Sequence, residues 1–296
     1  MSLYTHKQRI GFIGLGAMGK PMASHLANNA QLYAVWNRTT VIAEEFSTTH
    51  KVVHAANPRI LAQDCDVIVL CVSADQDLLQ LITDIQPHLR AGALVIDHSS
   101  VAPATAKQVA KKLAEHEVKF IDAPVSGGVE GARQGTLSVM VGGTKESVER
   151  AKNIIENYSA RITAMGPVGN GQATKAVNQV LVAGIAEAVC EGLALAEQLD
   201  LPKTELLNVL QSGAAGNWFL DKRGATMLAD DCDIGFKLDL LLKDLGILQT
   251  LTKQKNLTLS GVNRAIDDYS QCQSAGDGEQ DISALIRLKR QQITNE

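Results

Sequence analysis

Hydrophobic positions in the first half of the chain fall into short, nearly unbroken runs: Arg9–Ile13, Leu32–Trp36, Asp66–Val72, Ala93–Asp97 and Lys119–Asp122. Runs of this length, without polar alternation, predict strands buried on both faces. Between several of them the apolar residues recur at three- and four-residue spacing, as in Pro21–Asn28 and Pro103–His116. That period predicts helices, and strand–helix alternation predicts a parallel sheet covered on both sides. The alternation stops at Gly166-Pro167-Val168-Gly169-Asn170-Gly171, a cluster that reads as a boundary loop.

Beyond the loop the pattern is helical throughout. One helix is predicted from Gln172 to Leu199, about 40 Å long. Its apolar residues cover nearly the whole circumference, which predicts burial against another domain or subunit. Helical periodicity returns over Lys203–Gln211, Leu238–Lys253, Gly261–Gln273 and Ser283–Gln291. The expected architecture is an α/β domain over residues 1–166, with a doubly wound sheet, followed by an all-α domain over 167–296 that begins with the long interdomain helix.

Composition narrows the function. A net charge of −4 with 20% charged residues argues against a nucleic-acid or anionic-membrane partner, since either selects a basic face. Met1–Gln8 is polar and lacks the apolar core of a signal peptide. The stretch 173–196 is apolar, but Lys175, Asn178, Gln179, Glu187 and Glu191 within it are costly in a bilayer. Five scattered cysteines, none in a Cys-x-x-Cys pair, point to a reducing compartment and to apolar filler; no metal site is expected. A soluble, cytoplasmic protein is expected. Most of the seven histidines are expected at the surface, and none follows residue 116.

Gly14-Leu15-Gly16-Ala17-Met18-Gly19 lies directly between the strand Arg9–Ile13 and a helix. Gly14 permits a tight turn, Gly16 lets the backbone approach a pyrophosphate, and Gly19 lets helix and strand pack closely, with the helix N-terminus facing the phosphates. In this context the motif predicts a dinucleotide site formed by Gly14, Leu15, Gly16, Ala17, Met18 and Gly19. After the second strand comes Asn37-Arg38-Thr39-Thr40. An acidic residue here binds the ribose of NAD; the guanidinium of Arg38 instead suits a 2′-phosphate, with Asn37 and Thr39 adding hydrogen bonds. NADP is therefore expected ahead of NAD. Val72 and Ser73, at the end of a central strand, are further expected cofactor contacts.

Three more segments carry a resemblance. Asp122-Ala123-Pro124-Val125-Ser126-Gly127-Gly128-Val129-Glu130-Gly131-Ala132 resembles the substrate-binding motif of the β-hydroxyacid dehydrogenase family. Gly169-Asn170-Gly171-Gln172-Ala173-Thr174-Lys175-Ala176-Val177-Asn178 resembles its catalytic motif, and Gly235-Phe236 through Lys243-Asp244-Leu245 its C-terminal cofactor-closing motif. With the glycine-rich turn, these span residues 9–290 in the family's order. The resemblance implies a Rossmann-type domain joined to an all-helical one, with the active site expected between them. The implied activity is NAD(P)-dependent interconversion of short 3-hydroxy acids and semialdehydes. It also implies cofactor contacts from Ser100, Phe236, Lys243 and Asp244, and a small carboxylate-bearing substrate.

The residues make chemical sense on their own terms. Ser126 supplies a hydroxyl, and Gly127 and Gly128 supply bare amides that can hold a carboxylate. Lys175 stands near the start of an apolar helix, where desolvation moves an amine toward neutral pH and fits it to give and take a proton. Asn178 and Gln179, one turn on, can orient it or the substrate. Many family members carry asparagine four residues after the lysine; this chain has Gln179 there, leaving open which amide fills that role. Ser100 likewise stands where relatives often have threonine. Asp239, four residues before Lys243, offers a simple helix ion pair as an alternative to cofactor contact. Gly213–Phe219 is an expected pocket wall, with Trp218 limiting substrate size. Two other readings compete: an imine reductase of the same fold, which commonly lacks the lysine, and a non-catalytic NADP-binding protein. The apolar length of the long helix also predicts a homodimer or homotetramer.

Overall fold

The computed structural model describes residues 8–232 and 235–294; residues 1–7, including His6 and nearly all of the polar start, lie outside the described residues. The chain divides into two compact units, Met1–Lys175 and Ala176–Glu296.

In chain order the first unit contains β1 (Ile10–Ile13), α1 (Gly19–Asn28), β2 (Leu32–Trp36), α2 (Thr40–His50), β3 (Val53–His54), α3 (Pro58–Asp64), β4 (Val67–Leu70) and α4 (Asp75–Ile85). It continues through β5 (Leu94–Asp97), α5 (Pro103–Ala114), β6 (Lys119–Asp122), β7 (Val125–Ser126), α6 (Gly128–Gln134), β8 (Leu137–Val141), α7 (Lys145–Ile155) and β9 (Ser159–Ala164). Six strands form a parallel sheet in the order β3-β2-β1-β4-β5-β6. This is the doubly wound order, in which crossovers leave from β1 in both directions. The central strands β1, β4 and β5 are buried at every residue, because helices cover both faces. One apolar cluster on one side includes Phe12, Met22, Leu26, Val69 and Ile96; the other includes Ile13, Leu61, Ile68, Leu78 and Val95.

A second sheet, β7-β8-β9, departs from the expected uniform parallel arrangement: β7 pairs antiparallel with β8, and β8 parallel with β9. It escapes a periodicity reading because β7 has two residues and β9 has no fully buried position. Tyr158, just before β9, is fully buried and fills the apolar cluster on that side.

The long helix α8 (Asn170–Gln198) starts in the first unit and continues into the second, followed by α9 (Lys203–Ser212), α10 (Trp218–Leu228), α11 (Leu238–Gln254), α12 (Ser260–Ser274) and α13 (Leu285–Thr294). The second unit's core gathers Ala183, Cys190, Met227, Leu241, Leu245, Tyr269 and Ile286. Within the single chain α8 is covered unevenly. Only one face is covered, by α10 to α13; Val177, Leu181 and Leu195 are 63%, 61% and 51% exposed, because one small helical unit cannot surround a 29-residue helix. By length and apolarity α8 could also cross a membrane, but its Glu187 is committed to an ion pair with Lys289 of α13 at 2.5 Å. Lys289 is 1% exposed and also binds Asp268 at 2.5 Å, so this buried ammonium is paired on two sides.

Candidate active site

The glycine-rich turn leaves β1 under tight constraint. Gly14 has φ +96°, and a Cβ there would lie 2.1 Å from the Cys71 carbonyl oxygen; one at Gly19 would lie 1.8 Å from the Gly14 oxygen. A Cβ at Gly16 would meet nothing within 4 Å, and Gly16 and Ala17 are exposed. Gly14 and Gly19 thus close the turn onto β4 and α1, while Gly16 leaves open space at the first turn of α1. That fits the approach of a pyrophosphate to helix amides. Leu15 is buried, and its N–H donates to Asn37 Oδ1 at 2.9 Å; Asn37 Nδ2 donates to the Thr39 carbonyl at 3.1 Å. Asn37 therefore spends both ends of its amide holding the turn. The Arg38 side chain is 79% exposed and pairs with Asp77 at 2.9 Å. An exposed pair of this kind is weak, so the guanidinium stays available to a phosphate.

The ends of β4 and β5 are tied together. Val72 N–H donates to Ser99 Oγ at 2.9 Å, and Ser99 N–H donates to Asp97 Oδ1 at 3.0 Å. Ser73 is exposed and Ser100 half-buried. Burial pushes the Asp97 carboxyl up to about 7, against the hydrogen bonds from Ser99 that favour its charged form. His98, the buried exception among the described histidines, lies between Ala123 O at 2.6 Å and Tyr158 Oη at 2.8 Å. Burial pulls its imidazole down to about 4.

Asp122 ends β6 and organises the start of α8. Its Oδ1 accepts the Gly169 N–H at 2.7 Å and its Oδ2 the Gln172 N–H at 2.8 Å. A carboxylate at a helix N-terminus satisfies amides that lack partners within the helix and meets the positive end of its dipole. A Cβ at Gly171 would lie 2.7 Å from the Asp122 carbonyl oxygen, so the glycines of this motif let α8 start against β6. Four residues after Asp122 come half-buried Ser126, then Gly127 and Gly128 at φ +130° and +64°, a region that favours glycine. Lys175 is half-buried in the second turn of α8.

In the second unit, Gln179 and Asp244 are 2% and 6% exposed. Gln179 Nε2 donates to Asp244 Oδ2 at 2.7 Å, Asn178 Nδ2 donates to Gln179 Oε1 at 2.9 Å, and Lys243 Nζ lies 3.0 Å from Asp244 Oδ1. These four residues form one chain of polar contacts. Phe236 is set by Asp281, whose Oδ2 accepts the N–H of Gly235 at 2.9 Å and of Phe236 at 2.8 Å. Trp218, the first residue of α10, is 49% exposed and stacks on Arg223, 5.7 Å from its ring centre.

The positioning roles of Asp122, Gln172, Ser99 and Asp281 are absent from the sequence reading. A local clue existed for Asp122: a lone carboxylate ending an apolar strand, matched by a glycine-rich helix start that needs a cap. For Asp281 no local signal points to Gly235, 46 residues away.

Residues 9–166 match the family profile described as the NAD binding domain of 6-phosphogluconate dehydrogenase, and residues 169–289 the one described as "NAD-binding of NADP-dependent 3-hydroxyisobutyrate dehydrogenase". The chain is 33% identical to 2-hydroxy-3-oxopropionate reductase of Escherichia coli K12 over 94% of its own length and 96% of that protein's. It is similar to the structure of Mycobacterium tuberculosis 3-hydroxyisobutyrate dehydrogenase with L-serine, at a TM-score of 0.86 and 28% identity, covering 96% of this chain and 99% of that one. An imine reductase from Pseudomonas sp. matches at a TM-score of 0.66 and 17% identity, covering 95% of this chain and 99% of that one, a likeness of fold alone. The chain belongs to the β-hydroxyacid dehydrogenase family. It is a nicotinamide-dependent oxidoreductase acting on a CH–OH group.

Proposed function

We propose that this enzyme interconverts a short 3-hydroxy acid and its semialdehyde, that it prefers NADP(H), and that Lys175 is its general acid and base. The observation that carries the reading is the double hydrogen bond of Asp122 to the start of α8. It holds Lys175, six residues after Gly169, on the same frame as the chain that runs from β6 into Ser126-Gly127-Gly128. Ser126 and the two glycine amides bind the substrate carboxylate, placing its carbonyl within reach of the Lys175 ammonium. When bound, the reduced nicotinamide supplies the hydride. In reduction the carbonyl carbon gains that hydride and the carbonyl oxygen gains the proton from Lys175 Nζ; in oxidation the lysine takes the hydroxyl proton back. Arg38, exposed at the end of β2, supports the preference for a 2′-phosphate. The same reading makes the protein a cytoplasmic homo-oligomer, supported by its five cysteines in the thiol form and by the uncovered face of α8.

The test is Lys175→Ala, assayed for NADPH oxidation with glyoxylate, succinic, methylmalonate and tartronate semialdehydes. A positioned acid/base contributes about 10² to 10⁴-fold, so kcat falls by that factor while NADPH affinity holds. Lys175→Arg rescues poorly, because a guanidinium does not release its proton near neutral pH. A folded Lys175→Ala keeping more than about a tenth of kcat, less than the smallest acid/base effect, rules out the mechanism.

A further inference from the structure

Gln172 sits three residues before Lys175 on α8 and is 2% exposed. Its amide is used at both ends on a single stretch of backbone. Oε1 accepts the Val101 N–H at 3.2 Å, and Nε2 donates to the Ser99 carbonyl at 2.7 Å. These two backbone groups flank Ser100. The N–H of Gln172 itself donates to Asp122 Oδ2 at 2.8 Å. One residue is thus fastened through its main chain to β6 and through its side chain to the segment after β5.

Burying an amide here is costly unless both ends are bonded, and methionine would fill the same space without that demand. What an amide adds is direction. The Asp122 contacts fix where α8 begins, but they leave rotation of its first turns about the helix axis less constrained; two bonds from Gln172 to Ser99 and Val101 remove that freedom. Residues three apart on a helix share a face, so the rotation that Gln172 fixes is the one that aims Lys175.

We propose that Gln172 is a positioning residue for Lys175, locking the first turns of α8 against the Ser99–Val101 segment so that the lysine ammonium and the Ser100 hydroxyl keep a fixed spacing. The inference rests on the reading of Lys175 as the acid/base. A displacement of about 1 Å in a reacting group can cost about 100-fold in rate, which sets the scale of the effect.

The experiment compares full-length Gln172→Met, Gln172→Glu and Lys175→Ala, using NADPH and whichever semialdehyde of the panel the wild type turns over. Gln172→Met is expected to lower kcat by about 10- to 100-fold while the Kd for NADPH, followed by its fluorescence, moves by less than about threefold. Gln172→Glu supplies a readout that packing alone does not move. A buried carboxyl facing a carbonyl has a raised pKa, and once protonated it donates to Ser99 O as the amide does. Its kcat, taken as a ratio to wild type at the same pH so that the titration of Lys175 cancels, should therefore recover as pH falls. A Gln172→Met enzyme within threefold of wild-type kcat, or one whose loss is matched by lost NADPH affinity, overturns the inference. So does a Gln172→Glu enzyme without acid recovery, and that variant decides the matter if Gln172→Met does not fold. Lys175→Ala separates the two ideas: if it stays active, the acid/base reading fails and takes this inference with it, whereas an inactive Lys175→Ala beside a fully active Gln172→Met overturns the inference alone.

Discussion

Gln179 of α8 donates to the carboxylate of Asp244 on α11 at 2.7 Å, and both side chains are buried. Asn178 reaches the same carboxylate only through Gln179. The extra methylene of glutamine relative to the family's usual asparagine is taken up in that reach. Gln179 is therefore the amide expected to fill the family asparagine's place. Removing it leaves a buried carboxylate short of a donor, a loss of about 1–3 kcal/mol. Gln179→Leu should lower the urea midpoint accordingly and reduce kcat, whereas Asn178→Leu should change stability by less than about 1 kcal/mol. Equal effects from the two substitutions would contradict the assignment.

Cofactor preference should follow Arg38. The wild type is expected to show a higher kcat/KM with NADPH than with NADH, and Arg38→Asp should reverse the order by placing a carboxylate where the ribose hydroxyls of NAD can be bound. Steady-state kinetics with both cofactors measure the ratio. A wild type favouring NADH, or a ratio unmoved by the substitution, removes the basis for the preference.

Asp97 and His98 are adjacent and have opposite linkage to pH. His98 is held at about 4 against an ordinary 6.5, so between those values the unfolded chain binds a proton that the folded one refuses, and stability is lost as pH falls. Asp97 is raised from 3.8 to about 7, so across nearly the same window the folded protein keeps a proton that the unfolded chain releases, and stability is lost as pH rises. Each slope approaches about 1.4 kcal/mol per pH unit, and in the wild type they oppose one another. Asp97→Asn removes one of them. Its unfolding free energy, measured in urea at about pH 4.5, 5.5 and 6.5, should climb with pH relative to wild type by up to that slope; parallel curves would show that Asp97 is not held protonated in the folded state.

Assembly is expected to cover the open face of α8. Val177, Leu181 and Ile185 recur at four-residue spacing and are 63%, 61% and 37% exposed, a stripe suited to a partner helix. Light scattering at micromolar concentration should give a multiple of 31.6 kDa, and Leu181→Glu should shift the protein toward that single-chain mass. A wild type that runs only at the single-chain mass would falsify the expectation.

What the sequence determined by itself is whatever depends on neighbours in the chain. Unbroken apolar runs located β1, β2, β4, β5 and β6, because a strand buried on both faces has no polar positions to spare. The helical period placed α8 within two residues of its observed start and one of its end. The glycine spacing of Gly14, Gly16 and Gly19 announced the turn after β1, in which Gly14 takes φ +96° and Gly19 packs against the Gly14 oxygen. The family motifs named Lys175 and Ser126–Gly128 for the same reason: each is a contiguous segment.

Other features were decided only by the tertiary structure. The second sheet, with its two-residue β7, exists because partner strands supply hydrogen bonds that no short window reveals. Helix α10 begins at Trp218 in a segment read as a pocket wall, and it is stabilised by an Asn217 cap and by burying Phe219, Leu220 and Met227. The contacts that hold the site in shape span distant parts of the chain: Asp122 to Gln172 across 50 residues, Gln172 to Ser99 across 73, and Gln179 to Asp244 across 65. A polar side chain's value depends on what stands opposite it once it is removed from water, and in this protein those opposing groups come from elements that only folding brings within 3 Å.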